Sequence, residues 1–394
     1  MTTQTPARDG GLLRTVLTRA ALARLALGWI AVGAATLLSP LLARPLPSAV
    51  LALVLAAIVA IIVVAAGGVV QQAEALARRL GDPYGTLVLT LSIVVIEVVL
   101  IAAVMLGPGE HTTIARDSVM AVSMIIMNLA LGLCLLVGGL KHGALALHRV
   151  GTSSYLMMLV ALAALAFALP MMIGRDGGYL PGQALMIGAA TVVVYAFFLW
   201  RQMSAQAGEF REVEPPRQAA STRSVDSSAP AAERTPLRET LATHRAELLL
   251  RSALLIATVL PIVLLSQHMA GLLDDGLARL GAPVALSGML IAMIVFTPET
   301  LTAVRAALAG EMQRVANLCH GALVSTLALT IPTVLVIGLL TGTPVVLAES
   351  PANLLLLGVT LAVSALAASA PRVTAIHGAV HLLLFAVYVL ALFS

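Results

Sequence analysis

Eleven long, mostly apolar runs dominate the chain, each about 18 to 26 residues, and that length matches the roughly 20 residues a helix needs to cross the hydrocarbon of a bilayer. They fall near Leu25–Leu42, Ser48–Val70, Thr86–Leu106, Ser118–Leu140, Tyr155–Ile173, Gly182–Trp200, Glu247–Met269, Val284–Leu308, Val315–Leu340, Pro351–Ala370 and Val373–Leu392. In hydrocarbon every backbone polar group must be satisfied internally, which leaves helices or closed barrels. The runs are too long for barrel strands and lack alternation of apolar and polar residues. With 60% hydrophobic residues, 11% charged residues and a mean hydropathy of +1.01, an ordinary soluble domain is excluded. The expected fold is an all-α polytopic membrane protein of about 11 transmembrane helices.

Basic residues set the expected orientation, because short loops rich in Lys and Arg stay on the cytoplasmic side. Alternate connections collect 19 of the 23 Lys and Arg residues on one side, including Arg78, Arg79, Lys141, Arg149, Arg305, Arg314 and Arg372. Only Arg44, Arg116, Arg175 and Arg279 fall on the other. The N-terminus is therefore expected inside and the C-terminus outside. The net charge of +4 and the isoelectric point near 9.5 follow from this bias along one membrane face, so no nucleic-acid partner is expected. Cys134 and Cys319 each lie within a span and read as small packing residues. The first run, preceded by Arg14, Arg19 and Arg24, reads as an uncleaved span rather than a secretory leader.

Composition changes abruptly between Trp200 and Glu247, where Arg, Glu, Ser, Pro and Ala predominate. Residues 201–246 are expected to form a cytoplasmic, mostly disordered linker that acts as a tether. Five spans remain on each side once the first is set apart. The expected division is a cytoplasmic N-terminus (1–24), an extra helix and outer loop (25–47), a first five-helix repeat (48–200), the linker, and a second five-helix repeat (247–394). Leu80-Gly81-Asp82-Pro83 and Leu280-Gly281-Ala282-Pro283 precede the second span of each half, and that span then carries a glutamate, Glu97 or Glu299. Of 19 acidic residues, these are the two deep inside apolar runs. By the charge count their spans run in opposite directions, so the repeats are expected to have inverted topology.

A carboxylate in hydrocarbon costs about 2.5 kcal/mol or more unless a partner, a proton or a water-filled cavity offsets it. Two at matched repeat positions suggest a site that trades protons for cations. Pro298 adds to this, since proline removes a helical hydrogen bond and frees a carbonyl one turn earlier, around Ile294. The third span of each half contributes polar residues, Asn128 in one and Ser325-Thr326 in the other.

At these residues the chain resembles the calcium/cation antiporter superfamily, and among its members the bacterial ChaA-like calcium (or sodium)/proton antiporters. The resemblance runs from about Gln71 to Leu392 and is carried by Gly81-Asp-Pro-Tyr-Gly-Thr-Leu with Val95-Ile-Glu97-Val, by Asn128 through Leu140, and by Thr297-Pro-Glu299 through Arg305. Many cation/proton exchangers have Gly-Asn where Ile93-Val94 and Val295-Phe296 stand here. The resemblance implies that Glu97 and Glu299 bind the transported cation, that Asn128 and Ser325 complete the site, and that the protein sits in a bacterial inner membrane. Calcium takes six to eight oxygen ligands, which the two glutamates, Thr297, Ser325, Asn128, carbonyls near Pro298 and water could supply.

Burial and like-charge proximity favour protons on an empty carboxylate pair, and a bound cation reverses the preference. Competition between protons and Ca2+ (or Na+ or K+) for the same oxygens then gives antiport by alternating access. No resident cofactor is implied; small cations, protons and the lipid bilayer are the expected partners. Two other classes remain open, an intramembrane enzyme using the glutamates as acid and base and an ion channel. The chain contains no Gly-x-Ser-x-Gly, HExxH or P-loop motif. His320 reads as a satisfied interior histidine, His377 and His381 as a weak metal pair, Asp274-Asp275 and Glu110-His111 as solvated outer-loop charges, and Lys141-His142 and His148-Arg149 as inner-loop anchors.

Overall fold

The computed structural model describes residues 15–42, 44–80, 94, 98, 112–212 and 244–393. The helices are α1 (Arg19–Leu42), α2 (Ser48–Leu80), α3 (Ile114–Met124), α4 (Leu131–His142), α5 (Arg149–Ala163), α6 (Leu169–Ile173), α7 (Pro181–Met203), α8 (Arg245–Arg279), α9 (Val284–Ala309), α10 (Met312–Thr341), α11 (Pro351–Ser369) and α12 (Ala375–Ala391). π-helical turns at Ile125–Ala130 and Ala164–Ala168 join α3 to α4 and α5 to α6. Two short strands, β1 (Ala144–Leu145) and β2 (Val373–Thr374), pair antiparallel.

Among the described residues eight helices are long and apolar enough to cross a membrane, or nine if the two bent halves of α9 count as one span. The expected span at 86–106, with Glu97, lies outside the described residues apart from Val94 and Val98. Helix α12 coincides with the last expected span but has only 17 residues.

Two compact units emerge from the packing, Met1–Leu89 with Pro230–Gly276, and Thr90–Ala229 with Leu277–Ser394. The first contains α1, α2 and most of α8. At 33 and 35 residues, α2 and α8 are about 50 Å long at 1.5 Å per residue, well beyond a hydrocarbon core of about 30 Å. Gly28 lets α1 approach α8, since a β-carbon there would lie 3.1 Å from Pro261. Charges collect at one end of this unit. Buried Glu247 pairs with Arg79 at 3.1 Å and with Arg251 at 3.0 Å, while Arg251 also donates to Gln72 at 3.1 Å. Asp274 and Asp275, expected in a loop, instead lie exposed in the closing turns of α8, because the helix continues past its apolar stretch into the polar one.

In the second unit α4 meets α12 at backbone distance. A β-carbon on Gly378 would fall 2.3 Å from Leu136 N, and one on Gly139 would strike Ala375 N. Small residues thus set the approach, as they do wherever helices must associate without a hydrophobic gain over lipid. The segment between α10 and α11 is not helical, yet four successive N–H groups in it are paired with carbonyls of other segments. Val346 N–H donates to Thr112 O, Leu347 and Ala348 N–H to Gly177 O, and Glu349 N–H to Phe167 O.

The linker departs from a simple tether at its start. Helix α7 runs on to Met203, and a 3-10 turn at Ala207–Phe210 places the Phe210 ring edge-on to Tyr155 at 5.2 Å. Glu212 accepts from the backbone N–H groups of Gln313 and Arg314 at 3.2 and 2.9 Å, satisfying donors that the first turn of α10 leaves unpaired.

Candidate functional site

Glu299 sits on α9, which is bent by 57° between Leu286–Ile294 and Glu299–Ala309, and the sequence places Pro298 at the break. A proline there removes one rung of the hydrogen-bond ladder, and sharp kinks usually have this cause. Nearby hydroxyls hold the backbone on either side. Thr297 Oγ1 donates to Met293 O at 2.8 Å and Thr300 Oγ1 to Phe296 O at 3.0 Å. With their protons committed to carbonyls, both hydroxyl oxygens keep lone pairs for a ligand.

The half-buried Glu299 opens on a cavity of about 20 Å3 that it shares with Thr300 from its own helix, Ile126 and Ala130 from the π-turn, and Cys319 and Ala322 from α10. Apart from Glu299 and Thr300, the described residues of the wall are apolar or weakly polar. Among the described residues this wall carries one carboxylate, in a space the size of one small ion or water. The π-turn matters to this geometry because it adds a residue to one helical turn and so rotates the rest of the helix about its axis, a feature common near functional sites.

The sequence-derived site residues do not all face this cavity. Asn128, fully buried on the π-turn, donates from Nδ2 to Thr360 Oγ1 at 2.8 Å, and its Oδ1 meets His381 Nδ1 at 3.0 Å. With Ile126 and Ala130 turned to Glu299, Asn128 lies on the side of α11 and α12. Ser325 donates to Gly321 O at 2.8 Å and shares a 2.6 Å hydrogen bond with Tyr195 of α7. Glu97 lies outside the described residues.

The remaining histidines have separate duties. His320 Nδ1 bonds Ala316 O at 3.0 Å, and its ring stacks at 6.2 Å from Tyr155. His377 Nδ1 accepts from Thr374 N–H at the start of α12, whereas His381 turns to Asn128. The two do not act as a metal pair, and among the described residues no group of three or more His, Cys, Asp or Glu side chains could hold a metal ion. Lys141 and His142 approach Leu308 O at 2.8 and 3.0 Å, capping the C-terminus of α9. Sequence reasoning missed Thr300, Thr360 and the cavity face of Cys319. The only signal for Thr300 was its place next to Glu299; for Thr360 there was none, because its partner lies 232 residues away.

Comparison with known proteins places the chain in a family. The family profile of the sodium/calcium exchanger protein matches residues 50–204 and 251–394. The chain is 34% identical over 324 residues to the putative ionic transporter y4hA of Sinorhizobium fredii, covering 82% of this chain and 83% of that one. It is 30% identical over 327 residues to the sodium-potassium/proton antiporter ChaA of Escherichia coli, covering 83% and 85%. The crystal structure of the H+/Ca2+ exchanger CAX superposes with a TM-score of 0.62 at 15% identity, over 94% of this chain and 87% of that one. The chain belongs to the sodium/calcium exchanger family, as a ChaA-like member of the calcium/cation antiporters, and is a membrane transporter rather than an enzyme.

Proposed function

We propose that the protein is a secondary active antiporter that exports Ca2+, or alternatively Na+ or K+, in exchange for protons. Glu97 and Glu299 are the groups for which cation and proton compete. The observation that carries this reading is Glu299 itself, a carboxylate at the break of a membrane-spanning helix, opening on a small cavity beside the π-turn. A carboxylate at membrane depth is costly without a proton or a cation, so the same oxygens favour one or the other as each side of the membrane supplies it. Thr297, the carbonyl freed by Pro298, and Ser325 are the proposed auxiliary oxygens on the second half; Asn128 supports the first half from behind the π-turn.

The proposed architecture is one extra helix followed by two inverted five-helix repeats. The N-terminus lies in the cytoplasm, the C-terminus outside, and the whole is in the bacterial inner membrane. Supporting it, the first compact unit takes the opening helix of each proposed repeat, α2 and α8, together with the extra helix α1. Calcium is put first because two carboxylates neutralise one divalent ion; the name of the Escherichia coli relative keeps sodium and potassium as alternatives.

Purified protein in proteoliposomes with a preset pH gradient tests the reading. Addition of Ca2+, Na+ or K+ should collapse the gradient for at least one of them, and Glu97→Gln and Glu299→Gln should each abolish the response. Full activity in either variant, correctly inserted, would remove the shared site.

A further inference from the structure

A second cavity of about 20 Å3 lies away from Glu299, between α4, α5, α10, α11 and α12. Its polar lining is Thr152, His320, Ser364 and His381, and no carboxylate, lysine or arginine reaches it among the described residues. Two of these groups have buried atoms with no hydrogen-bond partner, Thr152 Oγ1 and His381 Nε2, and both side chains are at most 1% exposed.

Chemistry decides which proton each group carries. Asn128 Nδ2 lies 3.6 Å from Met124 Sδ as well as 2.8 Å from Thr360 Oγ1. A thioether sulfur only accepts, so the amide nitrogen is on that side and the oxygen faces His381. His381 Nδ1 must then be the donor, and in the neutral ring Nε2 keeps a lone pair. His320 donates from Nδ1 to Ala316 O, which leaves its Nε2 as an acceptor too. Ser364 Oγ donates to Thr360 O at 2.9 Å and can still accept. The cavity therefore presents acceptors from His381, His320 and Ser364 and one donor, the Thr152 hydroxyl. A water molecule gives two hydrogen bonds and takes one or two, and it needs roughly 10–15 Å3 and two to four polar partners.

We infer that this cavity is a water-binding site, in which a buried water accepts from Thr152 Oγ1 and donates to His381 Nε2, locking His381 as the positioning residue for the π-turn that walls the Glu299 cavity. The link is Asn128. Held by the water on one nitrogen, the imidazole presents Nδ1–H to Asn128 Oδ1, and Thr360 holds the amide from the other side. Gly132 makes this approach possible, since a β-carbon there would lie 2.9 Å from His381 Cβ. Asn128 is thus clamped between α11 and α12 while Ile126 and Ala130 of the same turn face Glu299. The water site stands on the geometry alone; its effect on exchange rests on the antiport reading.

Nitrogen-15 NMR of the histidine-labelled full chain in lipid nanodiscs tests the site without reference to transport. The expected spectrum has His381 in the neutral Nδ1–H tautomer with a hydrogen-bonded Nε2. Thr152→Val, which keeps the shape and removes the hydroxyl, should move that Nε2 resonance toward a free lone pair. An Nε2–H tautomer, or an Nε2 resonance unmoved by Thr152→Val, overturns the inference. In proteoliposomes His381→Asn, which retains a donor near the Nδ1 position, should change the half-saturating cation concentration less than about twofold, while His381→Gln should raise it about fivefold, the worth of one hydrogen bond. Equal effects of the two variants reject the positioning role. Absence of cation-driven proton movement in the parent protein rejects the antiport reading alone, and the NMR result then decides the water site.

Discussion

The two compact units treat similar sequences differently. In the first, α8 runs through Pro261 as one helix of 35 residues, and its buried charge, Glu247, is answered by two arginines. In the second, α9 is broken by 57° where the sequence has Pro298, two other helices carry π-turns, and Glu299 opens on a cavity. Helix α10 contains Pro332, yet among the described residues α9 is the span bent by more than 40°. Proline removes one hydrogen bond from the ladder, but whether the helix bends depends on what packs on each side. Irregular backbone is tolerated at membrane depth where it is buried in protein or lines a cavity, and the second unit offers such a cavity at the break.

The largest expected effect separates the glutamates of the two units. Glu299→Gln should lower cation-driven proton exchange by about two orders of magnitude or more, as expected for removal of a charged group from a buried site. Glu247→Gln should leave exchange per folded molecule near normal and lower thermal stability, by about 1.5–3 kcal/mol if its charge-assisted hydrogen bonds carry their usual worth. Comparing initial exchange rates with melting temperatures of both variants checks this, and a reversed pattern would erase the contrast between the units.

Next in size is Gly378→Ala. Its β-carbon would meet Leu136 N at 2.3 Å and Gly132 O at 2.5 Å, and backbone on a neighbouring helix has little room to yield. A destabilisation of about 1–3 kcal/mol or more is expected, read as a fall in the melting temperature and in the yield of monodisperse protein. Gly33→Ala, with nothing within 4 Å of the added carbon, should be near neutral. A smaller effect should distinguish the prolines. Pro298→Ala restores a hydrogen bond and should reduce exchange several-fold by straightening the break, while Pro261→Ala should leave it within about twofold, given that an unkinked helix gains or loses little beyond one bond. Initial rates in proteoliposomes measure both.

The smallest expected effect concerns Glu349, in the segment between α10 and α11. Burial pushes its carboxyl above the ordinary glutamate value of 4.5, against hydrogen bonds from Asn353 and Ser350 and the charge of Arg116, which pull it down. The folded state therefore holds the proton more tightly than the unfolded chain. Its stabilising contribution is complete below pH 4.5 and is lost as pH rises through the higher folded value. Melting temperature should decline across that interval, and Glu349→Gln should flatten the dependence without altering exchange. A parallel pH profile in the variant would assign the slope to other groups.

Much of this was readable from the chain. Ten of the eleven expected spans coincide with described helices because runs of about 20 apolar residues have few alternatives in a bilayer, and Glu299 stood out because a charge there needs a reason. The partners of Asn128 were not readable. Thr360 and His381 lie 232 and 253 residues away, and a hydrogen bond closed across such a distance leaves no local pattern. Nor was the docking of Phe210 and Glu212, since a polar, Pro-rich segment reads as solvated whether or not its first turn finds a helix end to cap.

From the order of residues alone it follows that the chain is a helical membrane protein, that Glu97 and Glu299 are the acidic residues deep inside apolar runs, and that Pro298 marks a weak point in a span. Those conclusions rest on transfer energies and backbone chemistry, which act within a single segment. Helix packing adds which proline marks the sharp bend, that Asn128 turns toward α11 and α12, and that His381 meets it there. Each of these depends on which side chains the packed helices bring within hydrogen-bond reach, and that is a property of the assembled bundle.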